Sequence, residues 1–277
     1  MPKSVLLFAT RKKAAAKEAR QKLTEWLSKK KLDVLDVTDT RERLSEADLK
    51  NVTLGVAIGG DGTFLTLVRR LAKKDQIPLM GVNLGTVGFI TEIHRDDMFA
   101  AIEQALAKKY REERRPLLQV DVWRGKEIVE SCHVFNDAAV TKDARTTMLK
   151  FEVRVGEELL SYIRADGYIV ATPTGSTAYA LSAGGPLVHP EVNGLVVIPI
   201  CSHALSTRPS VVPQGKQVEI RMEEFTGEVY MVCDGQVNVE IKPGDRILVR
   251  TSETYLRLYR PPDQAWSETI RTKLKML

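Results

Sequence analysis

The spacing of hydrophobic residues along the first hundred positions follows two alternating periods. Short apolar runs predict buried strands at residues 5–9, 34–37, 54–58 and 78–82. Between these runs, apolar residues recur every three or four positions and predict amphipathic helices that contain Leu23, Leu67 and Ile102. Strands that alternate with helices form parallel sheets with helical crossovers, so we expect a Rossmann-like α/β domain.

The second half of the chain follows a different period. Apolar and polar residues alternate in three runs, at residues 118–122, 149–155 and 237–241. Turn sequences occur between and beside them, at Gly125-Lys126, Gly156-Glu157, Asp234-Gly235 and Pro243-Gly244-Asp245. Half-buried strands joined by short turns predict a β-rich domain built as a layered antiparallel β-sandwich.

A charged run marks the predicted boundary between these two regions. It covers residues 111–115 and is closed by Pro116, which interrupts regular structure. We therefore predict an α/β domain at residues 1–112 and a β-rich domain at residues 113–260. The tail at residues 261–277 repeats apolar residues at helical spacing, so we expect it to pack back on one of the two domains.

Composition narrows the functional classes. A hydrophobic fraction of 43% with 28% charged residues is typical of globular proteins and excludes a disordered, collagen-like or coiled-coil chain. The net charge of +5 suits anionic small molecules, and we interpret the basic segment 11–31 as a solvated helix face rather than a nucleic-acid-binding surface. No apolar stretch approaches the roughly 20 residues that span a bilayer, so we expect no membrane contact. Three widely spaced cysteines argue against disulfides and zinc sites and favour a cytoplasmic location.

The strongest local signal lies between the strand at 54–58 and the helix that follows it. The segment Gly59-Gly60-Asp61-Gly62-Thr63 places three glycines and a carboxylate at a helix start. Amides at a helix start bind phosphate, and glycine lets a ligand approach closely. The predicted phosphate-binding residues are therefore Gly59, Gly60, Gly62 and Thr63. The alternative is a tight turn in which Asp61 only caps the helix.

Other regions carry weaker signals. Residues 83–89 follow the next predicted strand, so we expect the two turns to line one crevice at the carboxyl edge of the parallel sheet. The alternative is a loop whose glycines only adopt positive φ values and contact no ligand. Residues 166–186 combine seven hydroxyl side chains with four glycines, which suits ribose and phosphate oxygens. Ser176 as a hydrolase nucleophile is disfavoured because the Gly-x-Ser-x-Gly pattern is absent, and His203 is interpreted as a structural hydrogen-bonding residue.

Taken together, these motifs resemble those of the NAD kinase family. Gly-Gly-Asp-Gly-Thr is shared with related kinases of lipids and sugar phosphates, whereas the later motifs are more specific. They are Asn136-Asp137, the segment 166–186, and Asp234-Gly235-Gln236, in the order that this family shows. The resemblance implies an N-terminal α/β domain, a C-terminal β-rich domain with NAD bound at their junction, and a homodimer or homotetramer. The chain departs from the family at Asp137, where many relatives have Glu.

Carried over position by position, the resemblance also implies roles for individual residues. Asp61 would be the catalytic residue. The residues implied to bind NAD are Asp61, Gly62, Asn136, Asp137, Arg164, Asp166, Thr177, Ala178, Tyr179, Ser182 and Gln236. ATP would be the second substrate, with Mg²⁺ or another divalent cation held mainly by its phosphates and no metal site in the protein itself.

The expected reaction moves the γ-phosphoryl group of ATP to the 2′-hydroxyl of the adenosine ribose of NAD and yields NADP. Asp61 would accept the proton of the attacking hydroxyl as a general base. Two alternatives stay open at this point. One is a lipid or sugar kinase with the same glycine-rich motif, and the other is a non-catalytic sensor that binds NAD(H).

Overall fold

The chain divides into two compact units. The computed structural model describes residues 3–11, 13–39, 43–71, 75–85, 88–204 and 206–276. Thr86 and Val87 of the predicted loop at 83–89 lie outside the described residues. The first unit comprises residues 1–115 and 254–277, and the second comprises residues 116–253.

The first unit is built on a parallel sheet. Its five fully contained strands are β1 (Ser4–Ala9), β2 (Asp33–Asp36), β3 (Val52–Ile58), β4 (Leu79–Asn83) and β5 (Ile93–His94). They lie in the order β2-β1-β3-β4-β5, and each neighbouring pair is parallel. The helices are α1 (Ala14–Lys29), α2 (Asp61–Arg70) and α3 (Met98–Leu106). The predicted α/β domain with a parallel sheet is therefore confirmed.

The apolar faces of two helices cover one side of this sheet. Leu23 of α1 and Ile102 of α3 are fully buried and belong to one cluster with Val56 and Val82 of the central strands. Burial of each such side chain contributes about 1.5–3 kcal/mol relative to exposure. The helical spacing of apolar residues therefore reflects packing against the sheet.

The second unit contains mostly strands. In chain order these are β6 (Arg111–Arg124), β7 (Glu127–Val134), β8 (Asp137–Lys142), β9 (Leu149–Val155), β10 (Glu158–Ala165), β11 (Gly167–Ala171), β12 (Gly194–Ile200), β13 (Ser210–Pro213), β14 (Val218–Met222), β15 (Val229–Cys233), β16 (Val237–Ile241) and β17 (Arg246–Arg260). A one-turn helix, α4 (Tyr179–Ser182), lies between β11 and β12. The ends of β6 and β17 continue into the first unit.

Two antiparallel layers form the second unit. Six strands pair in the order β13-β12-β11-β8-β15-β16, and every pair is antiparallel. The other layer contains β10-β9-β14-β17 and the hairpin of β6 with β7. Buried residues of both layers, such as Val153 and Met231, share one core. Cys132 and Cys233 lie in this core as free thiols with their Sγ atoms 2.7 Å apart. The predicted β-sandwich is confirmed.

The two units divide within the charged run at 111–116, between Arg115 and Pro116, and a single strand passes through that point. β6 begins at Arg111 and continues through Pro116 without interruption. The strand tolerates this charge because its inward-facing groups are paired: the Nε atom of Arg115 donates to Glu113 Oε2 at 2.9 Å. Pairing offsets much of the cost of burying such groups, and the sequence pattern does not reveal the partners.

The tail forms a helix that packs on the first unit. This helix, α5 (Trp266–Leu274), buries Thr269 and Ile270. The hydroxyl of Thr269 donates to Glu92 Oε1 at 3.0 Å. The same carboxylate accepts two bonds from Arg260, at 2.6 Å from Nε and 2.5 Å from Nη2. The tail is thus joined to a buried ion pair. None of the helices in the described ranges is long and apolar enough to cross a membrane.

Two arginines of β17 provide a matched test of this ion pair. Arg260→Met removes the two-bond partner of Glu92, whose side chain is 2% exposed, and also a bond to Glu113, so we expect the free energy of unfolding to fall by about 3 kcal/mol. Arg257→Met removes a similar two-bond pair with Glu112, but there the side chains are 28% and 32% exposed. We expect less than about 1 kcal/mol for that change. Urea denaturation followed by tryptophan fluorescence measures both, and equal losses would contradict burial as the cause.

Candidate functional site

The carboxylate of Asp61 is held by the loop that follows the neighbouring strand. Asp61 is the first residue of α2 and comes directly after β3 and its glycine turn. Its Oδ2 accepts from the amide of Phe89 at 2.9 Å. Its Oδ1 accepts from the amides of Ile90 at 3.2 Å and Thr91 at 2.9 Å, and from the Thr91 hydroxyl at 2.8 Å. The alternative role of Asp61 as a helix cap is wrong, because the capping position is Gly60 and no side chain caps the helix.

The two carboxylate oxygens of Asp61 accept different numbers of hydrogen bonds. Oδ1 receives three donors, whereas Oδ2 receives one from the described residues. A carboxylate has about four acceptor positions, two on each oxygen. Oδ2 is therefore the oxygen with capacity for a further hydrogen bond, and its direction is fixed by the other bonds.

The loop itself is shaped to receive this carboxylate. Thr91 is fully buried, and its hydroxyl also accepts from Asn83 Nδ2 at 3.1 Å. Gly88 lies so close to Asp61 that a Cβ atom there would stand 2.0 Å from Oδ1. A side chain at position 88 would therefore displace the carboxylate. Gly88 and Phe89 of the predicted loop at 83–89 therefore contact Asp61 of the Gly-Gly-Asp-Gly-Thr motif. This is expected because both segments follow neighbouring parallel strands, which end at the same edge of the sheet.

The amides of the glycine turn are not all available to a ligand. The Gly59 amide donates to Val82 O at 2.8 Å, and the Thr63 amide donates to Gly60 O at 2.8 Å. The amides of Gly60 and Asp61 make no hydrogen bond to the described residues. A Cβ atom at Gly60 or Gly62 would meet nothing within 4 Å. The open amides at the start of α2 suit an anion.

Lys273 of the tail helix lies close enough to Asp61 for their charges to interact. Lys273 is on α5, one turn after Thr269. Burial lowers the pKa of Lys273, and the negative charges of Asp61 and Glu92 oppose that effect. No sequence pattern connects this lysine with Asp61, because the connection depends on where the tail packs.

In the second unit, the segment Asn136-Asp137 is buried between two neighbouring strands of the six-stranded sheet. β8 begins at Asp137 and lies between β11 and β15. Asn136 is 8% exposed and Asp137 is 4% exposed. The Asp137 carboxylate accepts from the amide of Tyr179, which begins α4. A Cβ atom at Gly175 would lie 2.0 Å from Asn136 O, so the hydroxyl-rich segment can approach Asn136 only with glycine at that position.

Two side-chain groups of this segment have unusual environments. The Oδ1 atom of Asn136 is buried and accepts no hydrogen bond from the described residues. Burial, with the negative charge of Asp234 adding to it, raises the pKa of Asp137 to about 7, and the Tyr179 amide opposes the shift. A buried polar atom without a partner is costly, so both groups are candidates for contact with a polar ligand.

The structure brings some predicted binding residues together and separates others. Tyr179 contacts Asp137 through its amide, and Thr177 and Ala178 immediately precede it. Ser182 and Tyr179 have exposed side chains, and Gln236 follows the turn at 234–235. Arg164 and Asp166 lie at the far end of β11, because Ala171 pairs with Asp137 whereas Gly167 pairs with Thr141. Four residues of strand separate those ends by roughly 14 Å.

The structure also tests the roles considered for Ser176 and His203. The hydroxyl of Ser176 is fully buried and bonds to Pro173 O at 2.7 Å and to the main chain of Val188. It is therefore a structural group and not a hydrolase nucleophile. His203 is exposed, and its ring makes no hydrogen bond to the described residues. Within the described residues, the interpretation of this ring as a structural hydrogen-bonding group is therefore wrong.

Sequence reasoning missed three residues near these groups. Thr91 orients Asp61, Lys273 adds a positive charge near it, and Asp234 contacts the main chain at Asn136-Asp137. Thr91 and Lys273 stand in no recognisable motif, and Asp234 stands in a turn and in the family motif Asp234-Gly235-Gln236 without a predicted role of its own. Among the residues that the structure describes, no three His, Cys, Asp or Glu side chains form a group that could hold a metal ion.

Comparison with protein families covers most of the chain. Residues 5–110 match the family described as the ATP-NAD kinase N-terminal domain, and residues 135–261 match the ATP-NAD kinase C-terminal domain. The NAD kinase of Trichlorobacter lovleyi is 38% identical over 99% of this chain and 98% of its own length. The NAD kinase of Geobacter metallireducens is 37% identical over the same shares of the two chains.

Solved structures give the same likeness. The crystal structure of an NAD kinase from Archaeoglobus fulgidus in complex with ATP matches with a TM-score of 0.78 and 26% identity, over 99% of both chains. Yeast NADH kinase complexed with NADH matches with a TM-score of 0.88 over 99% of this chain and 88% of that one. Its identity is 24%, so that likeness concerns the fold.

The raised pKa of Asp137 predicts a pH-dependent stability. The folded protein keeps this proton up to about pH 7, whereas the unfolded chain releases it near pH 4, so the stability of the wild type falls as the pH rises between these values. Asp137→Asn removes that loss. We expect its free energy of unfolding to gain about 3 kcal/mol on the wild type between pH 4.5 and pH 8.

Chemical denaturation at a series of pH values measures this difference. Asp143→Asn is the control, since its local hydrogen bonds lower the pKa of that carboxyl and it stays ionised throughout the range. Its curve is expected to run parallel to that of the wild type. A parallel curve for Asp137→Asn would show that the carboxyl has no raised pKa.

Proposed function

The chain belongs to the ATP-NAD kinase family, and from this premise we propose that it transfers the γ-phosphoryl group of ATP to the 2′-hydroxyl of the adenosine ribose of NAD. The product is NADP, and Asp61 is the general base. The observation that carries the role of Asp61 is its fixed carboxylate, in which Oδ2 keeps acceptor capacity next to the open amides of Gly60 and Asp61. A base and an anion seat thus occur within one turn of chain.

The chemistry requires both features. An alcohol of high pKa attacks a phosphoryl group poorly, and a carboxylate that accepts its proton late in the transfer lowers the barrier. Oδ2 of Asp61 is the oxygen that would receive that proton. Because three bonds hold Oδ1, the base keeps its direction while the hydroxyl aligns for attack, and such positioning accounts for most of the catalysis of phosphoryl transfer.

The proposed phosphate contacts come from the glycine turn at 59–63, and most of the proposed NAD contacts come from motifs of the second unit. We propose that the glycine turn binds phosphate, with Gly60 and Asp61 donating amides while Gly59, Gly62 and Thr63 shape the turn. NAD would be bound by the side chains of Asn136 and Asp137, since Asn136 Oδ1 is buried without a partner among the described residues. The remaining NAD-binding residues in the proposal are Gly62, Arg164, Asp166, Thr177, Ala178, Tyr179, Ser182 and Gln236.

The family implies a divalent cation, and we propose Mg²⁺. Its chemistry is to neutralise charge on the phosphate oxygens of ATP. The open amides of Gly60 and Asp61 suit the phosphates that would carry this cation. The protein's part is to hold the phosphates against the amides at the start of α2.

Two other proposals from the sequence stay predictions. One is a cytoplasmic location, and the other is assembly as a homodimer or homotetramer. Light scattering on the purified protein measures the second.

The test of the reaction is direct. Purified protein is incubated with NAD, ATP and Mg²⁺, and NADP is measured with an NADP-specific dehydrogenase. NADP that appears in proportion to enzyme supports the proposal. Mass spectrometry of lipid and sugar alcohols under the same conditions tests the related kinase activities. Calorimetric binding of NAD without any NADP would support the sensor instead.

Asp61→Asn tests the general base. An amide nitrogen accepts no proton, so we expect kcat to fall by about 100-fold or more while NAD binding stays measurable by calorimetry. Asp48→Asn is the matched control, because Asp48 is a carboxylate of the same unit that, among the described residues, accepts hydrogen bonds only from Ser45. That variant is expected to keep the wild-type kcat. An unchanged kcat in Asp61→Asn would remove Asp61 from the mechanism.

A further inference from the structure

We infer that Asp234 is a positioning residue, which fixes the main chain at Asn136-Asp137 so that the side chains of these two residues can bind NAD. The inference rests on the proposed function of this segment. Asp234 itself is assigned no contact with the substrate. Its effect is on the direction of its neighbours.

The geometry shows three consecutive amides converging on one carboxylate. The amide of Phe135 donates to Asp234 Oδ2 at 2.9 Å. The amides of Asn136 and Asp137 donate to Oδ1 at 2.6 Å and 3.3 Å. Hydrogen bonds to an ionised acceptor are about twice as strong as neutral ones. This carboxylate therefore fixes the main chain of three consecutive residues.

The hairpin that carries Asp234 explains how its carboxylate contacts the segment at 135–137. Residues 234–236 connect β15 and β16, and Asp234 and Gly235 have φ values of 50° and 62°, positive at both positions as a type I′ turn requires. Asp and Asn tolerate this left-handed conformation better than most residues. The amide of Asp234 also donates to Asp137 O at 2.9 Å, so the turn is attached to β8 by main chain and side chain together.

The carbonyl oxygens of Phe135 and Asn136 are also hydrogen-bonded, by a residue of the neighbouring strand's loop. The fully buried Thr172 donates its hydroxyl to Phe135 O at 2.7 Å and its amide to Asn136 O at 2.9 Å. With the bonds from Asp234, every main-chain donor and acceptor of Phe135 and Asn136 is occupied. The Oδ1 atom of Asn136 is then the buried acceptor that has no partner among the described residues. A main chain fixed on both sides sets the position and the Cα–Cβ direction from which that side chain extends.

The charge of Asp234 adds a second effect on the same pair. Its carboxylate is one of the two causes that raise the pKa of the neighbouring Asp137. A ribose hydroxyl can donate to an ionised acid and accept from a neutral one. Asp234 thereby influences both the direction and the protonation of the proposed ribose contacts.

A second turn carboxylate in the same unit provides a matched control. Asp245 follows β16, at the other end of that strand from Asp234. It also receives three donors, from two nitrogens of Arg124 and from the amide of Lys242, at 2.8–2.9 Å. It is 2% exposed and holds no residue of the proposed site. Substitution at Asp245 therefore reports the loss of a structural carboxylate alone.

The experiment compares Asp234→Gly, Asp234→Asn and Asp245→Asn with the wild type. Glycine keeps the turn and removes the carboxylate, so we expect the KM for NAD to rise about tenfold while kcat and the KM for ATP stay within about twofold. Asparagine keeps one accepting oxygen, so an intermediate KM is expected. Asp245→Asn is expected to lower the melting temperature and leave the KM for NAD unchanged.

The outcomes separate this inference from the proposed function. A wild type that forms no NADP overturns the proposed function. NADP formation together with a wild-type KM for NAD in folded Asp234→Gly overturns the positioning role alone, as does an equal rise in Asp245→Asn. Should Asp234→Gly fail to fold, the comparison of Asp234→Asn with Asp245→Asn decides: a higher KM in the first supports the inference, and equal values overturn it.

Discussion

The parallel pairing of β3 with β4 is the constraint on which the catalytic proposal depends. Parallel neighbours end at the same edge of a sheet, so the residues after β3 and after β4 must meet. Asp61 follows the first strand, and the loop at 88–91 follows the second. The four hydrogen bonds from that loop to Asp61 are a direct result of this pairing. Without it, the carboxylate would be an exposed group at a helix start with no fixed direction.

The second unit reaches a similar result with antiparallel strands. β8 lies between β11 and β15, so the residues just before β8 are adjacent to the end of one neighbour and the end of the other. Thr172 follows β11 and Asp234 follows β15, and each bonds to the same short segment. In both units a polar residue at a strand end is held by main-chain groups of the next strand's loop. Rigid strands thereby give precision to residues that lie in loops.

The sequence predicted the fold class because periodicity reports burial directly. Residues 149–155 and 237–241 alternate strictly, and both are strands with the predicted bounds. The ion pairs of the charged run at 111–116 were not predictable, because its buried charges are also stabilised by partners distant in the chain, such as Arg260 for Glu113. No local pattern records such a pair.

The candidate site was predictable only in part, for the same reason. The glycine turn is local, so Asp61 could be selected from the residues alone, whereas Asn136 and Asp137 were selected through the family resemblance. Thr91 and Lys273 act on Asp61 across the fold, from a loop and from the last helix, and neither stands in a motif. The available amides were also a tertiary property, because Gly59 donates to Val82, a residue of the neighbouring strand.

The two aspartates of the proposal occupy opposite environments, and this difference suits different tasks. Asp61 is surrounded by donors, with the charge of Lys273 nearby, so its carboxylate acts as an acceptor. Asp137 is buried next to another carboxylate and holds its proton up to about pH 7. An acceptor of fixed direction suits proton removal, whereas a group that both donates and accepts suits recognition of a hydroxyl. The fold thus obtains two functions from one residue type by changing what surrounds it.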